Sequence, residues 1–597
     1  MNNNKLKPSI LDKNYLAKDF DDRLSKTIAQ RFNISPIIAD LLAMRGIAID
    51  EVEEFLEPKI KNSLPDPFSL GGVSDGVERV LKAINQQQKI TIFADYDVDG
   101  ATSCALLVRF FREIGVEVEI YVPDRILEGY GPNSQALLNL KKNGSDLVIT
   151  VDCGTVAFKP LEDAKKAGLE VIVIDHHLGV VEKPEAIAII NPNLLDEKFA
   201  IKNICGCAVS FLFIVAVNKM LRQNGFYKDK KEPNLFDLLD LVALGTVCDV
   251  MPLTGLNRAF VSAGLKILKQ RKNLGLRRII DLAGLNTQPD AYSLGFVLGP
   301  RINASGRIGK ADLGATILSS ECEIVTQEIA LQLEEFNKQR KDIEAKVLEQ
   351  AVARLENGVD GFSKNDPIIF ALGDDWHQGV IGIIASRLKD LYNKPVAVLS
   401  LDKKIGKAKA SCRSITGIDF GANILQARLA GLLLEGGGHA MAGGFSVKLE
   451  KIAELHQFFC QKLQDKVAEL SAQNLVYFDL EIDIAQLNLE LLKELLKLEP
   501  YGVGNMKPRF LIKDAKKVRS TLIGSKQEHI SCIFSAKSLL GFDNQINAVA
   551  FRSNNTKLGD LLLSAKTSQS LNLIATLNIN NWMGVEKVQM MIEDIIL

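Results

Sequence analysis

TIFADYDVDG, residues 91–100, is the stretch whose reading decides the fold. A short β-type apolar run ends there in three aspartates spaced two apart, Asp95, Asp97 and Asp99. Alternate side chains of an extended backbone project from one face, so the spacing predicts three carboxylates pointing the same way. Carboxylates that close repel one another unless a cation sits among them. Taken alone, the motif reads as a solvated acidic turn after a strand. The rest of the chain decides whether it is more.

Around it, residues 89–193 alternate β-type apolar runs (KITIFA, VEVEIYV, DLVITV, LEVIVI, AIAII) with amphipathic segments that end in glycine. That is a repeated βαβ pattern, which predicts a parallel sheet covered by helices. Ligands of such sheets gather beyond the carboxyl ends of the strands. At those ends stand Asp97 and Asp99, then Asp152 of VDCG, then Asp175, His176 and His177 of DHH. LLDLVALGTVCDVMPL places Asp249 at the end of one more apolar run. Acidic groups crowded at several neighbouring strand ends, two histidines among them, predict a converging ligand set that needs a cation or proton.

The 597 residues suffice for three or four domains, and 47% hydrophobic residues allow a sizeable core. Lys+Arg at 72 against Asp+Glu at 73 gives a net charge of -1, so any nucleic-acid surface must be a local patch. The nine cysteines are scattered, with no CxxC pair, and read as reduced core thiols of a cytoplasmic protein. MNNNKLKPSI lacks an apolar leader, and the apolar run at residues 208–217 falls short of the roughly 20 residues that span a bilayer. The expectation is a soluble, unexported chain with no membrane partner.

DYDVDG, VDCG, DHH and GTVCDVMPL, in that order, resemble the DHH phosphoesterase superfamily, and the later motifs narrow the resemblance to the RecJ family of single-strand-specific exonucleases. The resemblance implies two divalent ions held by Asp97, Asp99, Asp152, His176 and Asp249. It places His177 and Asp175 beside them in catalysis, with His439 of a later motif; Asp95 shares their face without matching the family's ligands and is expected in a supporting catalytic role. Hard carboxylates with an occasional imidazole suit Mg²⁺ or Mn²⁺, and the thiolate-free set argues against structural zinc. A satisfied core pair is the competing reading of the two histidines.

Arg125, in YVPDRILEGYG, is a candidate phosphate ligand, with a surface pair to Glu128 as the alternative. LGPRINASGRIGK predicts a short anion-binding loop carrying Arg301, Asn303 and Arg307, similar to a strand-contact stretch of the family, with a hinge loop as the alternative. Residues 320–357 form an uninterrupted charged periodic run, predicting a connecting helix with a solvated face. GGGHAMAGGF resembles a DHHA1 motif and implies that Gly437, Gly438 and His439 meet the substrate phosphate while Ser411 and Arg413 grip the 5′ end. A glycine turn without a ligand is the alternative. After about residue 475, short alternating segments predict a small barrel that resembles an OB domain, where Tyr501 and Phe510, with Lys516, Lys517 and Arg519, are candidates for holding a strand.

The reading is therefore α/β: a helical lead-in at 1–70, a parallel-sheet DHH domain at 71–319, the connecting helix at 320–357, a smaller α/β DHHA1 domain at 358–467 and an OB-like β-barrel at 468–597. The resemblance implies a single-stranded-DNA-specific 5′-to-3′ exonuclease that releases 5′-mononucleotides and serves DNA repair and recombination. Polarity enters only through that resemblance. A DHH phosphodiesterase for short oligonucleotides or cyclic dinucleotides, and a non-catalytic single-strand-binding scaffold, are the two alternatives. A single-strand-binding protein and a helicase are expected partners of a monomeric enzyme.

Overall fold

The computed structural model describes residues 7–125, 127–285, 287–537, 543–582 and 584–597. Five segments rich in β-branched residues, Ile90–Ala94, Val118–Tyr121, Leu147–Val151, Glu170–Ile174 and Ala188–Ile190, pair in parallel. The spatial order is 118–121, 90–94, 147–151, 170–174, 188–190. The strands 90–94 and 147–151 are buried at every residue, as a sheet covered on both faces requires. Covering helices include Val98–Glu113, Ser134–Lys142 and Phe158–Lys166. Ala94 stands beside Val151 and Val151 beside Ile174, so these strands stop in register at one edge.

Two expectations change here. Asp249 ends a helix, Leu239–Cys248, rather than a strand. Its run is apolar all round, which leaves no period by which a buried helix can be told from a buried strand. The stretch around Arg301 is also no loop: Gly299–Ile308 is helical and follows a π-turn at Leu294–Leu298. The helix Gly206–Gln223 is long and apolar enough to cross a membrane by length and composition, yet 72% of it is buried inside the fold.

Glu323–Asn357 is one helix of 35 residues, about 52 Å at 1.5 Å per residue, stopped by Gly358 in the left-handed conformation (φ 61°). Its face is less solvated than predicted: Arg340 and Glu344 are buried and pair at 2.7 Å. A second sheet follows, ordered 435–439, 442–448, 407–413, 396–402, 369–374. GGGHAMAGGF forms the hairpin of its edge strands, Glu435–His439 and Ala442–Lys448. Gly438 faces Gly443 there, and a Cβ on Gly438 would lie 2.4 Å from the Gly443 Cα. Only glycine permits that approach.

All of this lies in one compact unit, Leu64–Met251 with Ala263–Ala472; the other unit combines Met1–Ser63, Pro252–Ser262 and Gln473–Leu597. In this second unit Phe510–Ile523, His529–Lys537, Asp543–Ala550, Val585–Ile596 and Ser570–Trp582 pair in turn, and the last returns to the first, closing a five-stranded barrel. The N-terminal residues are not a separate helical lead-in. Ile28, Leu41, Leu42 and Val52 share one core with barrel residues such as Ile512 and Phe534, and Asn14–Ala17 pairs with Leu475–Phe478. Arg258 locks the inserted segment in place by donating to the carbonyls of Phe55 (2.8 Å), Leu498 (3.1 Å) and Glu499 (2.7 Å).

The barrel corrects three predicted strand contacts. Phe510 is 1% exposed inside the core, and Tyr501 is half-buried with its hydroxyl donating to the Leu495 carbonyl at 2.5 Å. The Phe510 ring has no face free for a base, and the Tyr501 ring is packed in part against the barrel core. Lys517 is likewise buried, its Nζ donating to the carbonyl of Leu563 at 3.2 Å. Phe510→Ala is accordingly expected to cost about 3–5 kcal/mol of stability, read by urea unfolding. Single-strand affinity should fall only where unfolded protein accumulates.

Candidate metal centre

Asp95, Asp152 and Asp175 each take the first position beyond a strand, and their amides continue the sheet: Asp95 N donates to Val151 O, Asp152 N to Ile174 O (2.9 Å) and Asp175 N to Ile190 O (3.0 Å). Register alone therefore brings three carboxylates to one edge. Asp97 and Asp99 arrive differently from the predicted extended face. The strand stops at Ala94, Asp97 caps the helix Val98–Glu113 by accepting from the amides of Asp99 (2.8 Å) and Gly100 (3.2 Å), and Asp99 lies in the first turn. A Cβ on Gly100 would stand 2.3 Å from the Asp95 carbonyl oxygen, so this strand-to-helix turn requires glycine.

Asp99 is wholly buried and held by the start of another helix, accepting from the amides of Gly206 (2.5 Å) and Cys207 (2.9 Å). Those amides and the helix dipole partly offset the cost of a buried anion. Gly245 closes the other side; its Cβ would lie 2.7 Å from Asp99 Oδ1. His176 Nε2 faces Asp152 Oδ1 at 3.1 Å, Asp249 Oδ2 at 3.5 Å and Asp99 Oδ2 at 3.7 Å. Asp152 sits in the left-handed region (φ 61°), a strained conformation that turns its carboxylate into the cluster.

Asp175 has a different task. Its Oδ1 accepts from the amides of His176 (2.7 Å) and His177 (3.1 Å), and its Oδ2 from the amide of Thr155 (2.9 Å). The same Oδ1 lies 2.8 Å from His177 Nδ1. An ionised carboxylate only accepts, so Nδ1 carries the proton and Nε2 is left for other partners. Asn191 and Asn193 hold the carbonyls of His177 (2.8 Å) and His176 (2.5 Å), and the Tyr130 hydroxyl donates to the Asp152 carbonyl at 3.1 Å.

Burial, then mutual repulsion, raises the carboxyl pKa of Asp95, Asp99 and Asp152. The same causes push Asp249 up to about 9. Burial lowers His176. It would lower His177 too, but the Asp175 carboxylate overrides it and holds that imidazole up at about 9. Among the described residues, Asp95 Oδ1, Asp152 Oδ1, His176 Nε2 and Asp249 Oδ2 are buried without a hydrogen-bond partner. Leaving such atoms unpaired is costly. Donor atoms within 4.8 Å of one another group as Asp95, Asp97 and Asp152; as Asp99, His176 and Asp249; and as Asp152, His176 and His177. The three-carboxylate group and the two-carboxylate, one-imidazole group, both free of thiolate, fit Mn²⁺ or Mg²⁺.

Three family models match the chain: DHH family, N-terminal domain, at residues 89–246; DHHA1 domain at 365–465; and RecJ OB domain at 478–594. The single-stranded-DNA-specific exonuclease RecJ of Haemophilus influenzae is 34% identical over 537 residues, covering 89% of this chain and 92% of that protein. The chain belongs to the RecJ family. RecJ of Bacillus subtilis is 32% identical over 95% of this chain and 69% of its own length. The crystal structure of RecJ from Thermus thermophilus in complex with Mn²⁺ superposes with a TM-score of 0.75 at 26% identity, covering 97% of this chain and 78% of that one.

Against this RecJ frame, Asp95 stands closer to the centre than its supporting role implied, since it shares a ligand group with Asp97 and Asp152. Arg125 makes no pair with Glu128; its guanidinium lies over the Tyr96 ring, 4.9 Å from the centroid. Arg307 is held by the Gly379 carbonyl at 2.8 Å, and burial, then Arg125 and Arg340, depress its pKa to about 10. Arg413 donates to Ser386 Oγ at 3.2 Å on the strand that also carries Ser411. Arg301 is committed to Glu334 at 2.6 Å and is not a free anion ligand, while Asn303 lies on the same helix, half-buried. His439, Gly437 and Gly438 line an open pocket of about 550 Å³ with Leu178, which directly follows the DHH motif. Trp376 is buried, its indole donating to Gln350 at 2.9 Å.

Sequence reasoning missed Gly206, Cys207, Gly245, Tyr130, Asn191 and Asn193. Glycine between two buried cysteines, in NICGCAVS, was a signal of close backbone approach. The asparagines act through backbone carbonyls and left no pattern.

Proposed function

We propose that this chain is a metal-dependent exonuclease that digests single-stranded DNA from the 5′ end and releases 5′-mononucleotides in DNA repair and recombination. The observation that carries the reading is the convergence of Asp95, Asp97, Asp99, Asp152, His176 and Asp249, four of them presenting buried atoms without a partner. Asp95, Asp97 and Asp152 would hold one divalent ion and Asp99, His176 and Asp249 the other. Two such ions supply Lewis-acid charge for the attacking water and for the phosphoryl and leaving oxygens. The rest falls to the chain's own side chains.

Asp175 fixes the proton on His177 Nδ1, leaving Nε2 to exchange a proton with the substrate. Asp175 is a positioning residue: it touches His177 and three backbone amides, not the reacting atoms. Arg125 and Arg307 crowd like charge that a strand phosphate would relieve, and Ser411, Arg413, Gly437, Gly438 and His439 grip the end. A cleft admitting one strand would exclude duplex sterically. The proposed setting is the cytoplasm, with a monomeric enzyme supplied with strand by a helicase and a single-strand-binding protein.

Asp175→Asn is expected to lower kcat by about 10²–10³ with KM little changed, because His177 loses its orientation while the strand grip remains. Digestion of end-labelled single and duplex DNA with Mn²⁺ tests the function itself. Release of mononucleotides from the 5′ end of single strands is expected. Equal digestion of duplex, or turnover of dinucleotides with long strands untouched, would favour a different phosphodiesterase.

A further inference from the structure

Tyr292 and Phe296 are 65% and 70% exposed and stack on each other, with centroids 4.8 Å apart and planes at 24°. Their backbone is the short helix Ala291–Ser293 running into the π-turn Leu294–Leu298, a local geometry that concentrates at functional sites. Asp290 fixes the start of the segment by accepting from the Ser293 amide (2.8 Å) and hydroxyl (2.6 Å). The segment is packed onto the last turn of the helix that delivers Asp249. Cys248 Sγ meets the Leu294 carbonyl at 3.5 Å, and Cβ atoms on Gly295 and Gly299 would lie 3.3 Å from Val247 and 2.5 Å from Cys248 Sγ. Glycines at these two positions set the π-turn against the residue that precedes Asp249. Val250, just after Asp249, is itself 63% exposed and held at φ 60°, which a β-branched residue rarely adopts.

We propose that Tyr292 and Phe296 form a nucleobase-stacking platform, receiving an unpaired base of the single strand a few nucleotides from the end held at the metal centre. The inference rests on the single-strand exonuclease reading given above. A polymer whose end lies at Asp249 must continue across the neighbouring surface, and the turn packed against Cys248 presents two stacked, exposed rings there. Stacking on such faces tolerates every base, which suits digestion without sequence preference, and is worth about ten-fold or more in affinity per base. Of the barrel rings expected to do this, Phe510 is buried in the core and Tyr501 is half-buried with its hydroxyl held by the Leu495 carbonyl.

The test uses the full chain with Mn²⁺ on long single strands bearing one abasic site moved stepwise from the 5′ end. For wild type, KM should rise about ten-fold at one position of the abasic site. Tyr292→Ala/Phe296→Ala should show a similar rise on intact strands, lose its sensitivity to that position, and keep the wild-type kcat. Phe296→Trp, which keeps an aromatic face beside Tyr292, should retain the wild-type KM and abasic profile. A double variant with wild-type KM and the wild-type abasic profile overturns the platform, as does one that changes only self-association in sedimentation. If wild type leaves single strands undigested, the exonuclease reading falls first and the platform with it; active wild type with an indifferent double variant removes the platform alone.

Discussion

Asp152→Asn is expected to reduce Mn²⁺-dependent digestion of single strands by about a thousand-fold or more with the fold intact. Asp152 belongs to the ligand group of one ion, and its Oδ1 lies 3.1 Å from Nε2 of His176 in the group of the other, so its loss is felt on both sides of the centre. Asparagine keeps the left-handed conformation that this position demands (φ 61°) better than alanine would. The variant should also melt no lower than wild type in chelator, because it removes one of several buried carboxylates that raise each other's pKa. Activity and thermal unfolding measured side by side check both halves. Retention of more than about a tenth of the activity, a loss of only ~1.4 kcal/mol, would remove Asp152 from the centre.

Much of this was legible in the sequence, for physical reasons that differ by element. The parallel sheet declared itself through five apolar runs separated by glycine-ended amphipathic segments, and strand register then obliged Asp95, Asp152 and Asp175 to share an edge. The aspartate turn reached the right place by a different route from the one its spacing suggested: a helix cap at Asp97, not an extended face, aims Asp97 and Asp99. Asp249 was found as a ligand candidate but on the wrong element, since an all-apolar run carries no period. What stayed hidden was contact between residues distant in sequence. Nothing near Arg301 announces Glu334, nothing near Phe510 says that its face of the strand turns inward, and nothing in residues 10–56 reveals that they complete the core of the C-terminal barrel.

Gly245→Ala is expected to destabilise the chain by about 1–3 kcal/mol and to raise the Mn²⁺ concentration for half-maximal activity by about ten-fold or more. The new Cβ would stand 2.7 Å from Asp99 Oδ1, 2.7 Å from Thr102 Oγ1 and 2.9 Å from Cys207 Cβ. Asp99 cannot yield easily, because both of its oxygens are held by the amides of Gly206 and Cys207. The strain should therefore appear as a misplaced ligand as well as a lower melting temperature. Urea unfolding and a Mn²⁺ titration of activity separate the two. Restored activity at saturating Mn²⁺ is the expected signature of a displaced ligand, whereas wild-type metal dependence would show that Asp99 does not feel this wall.

The proposed chemistry depends above all on the unpaired buried atoms of Asp95, Asp152, His176 and Asp249, with Asp97 and Asp99 beside them, forming a centre for two divalent ions. The number of Mn²⁺ ions bound per chain at equilibrium, counted by electron paramagnetic resonance of the free ion in a titration, tests it most directly. Two ions per wild-type chain, with fewer than two tightly bound in Asp152→Asn, is the predicted result. No tight binding, or full binding that ignores the loss of Asp152, would contradict it.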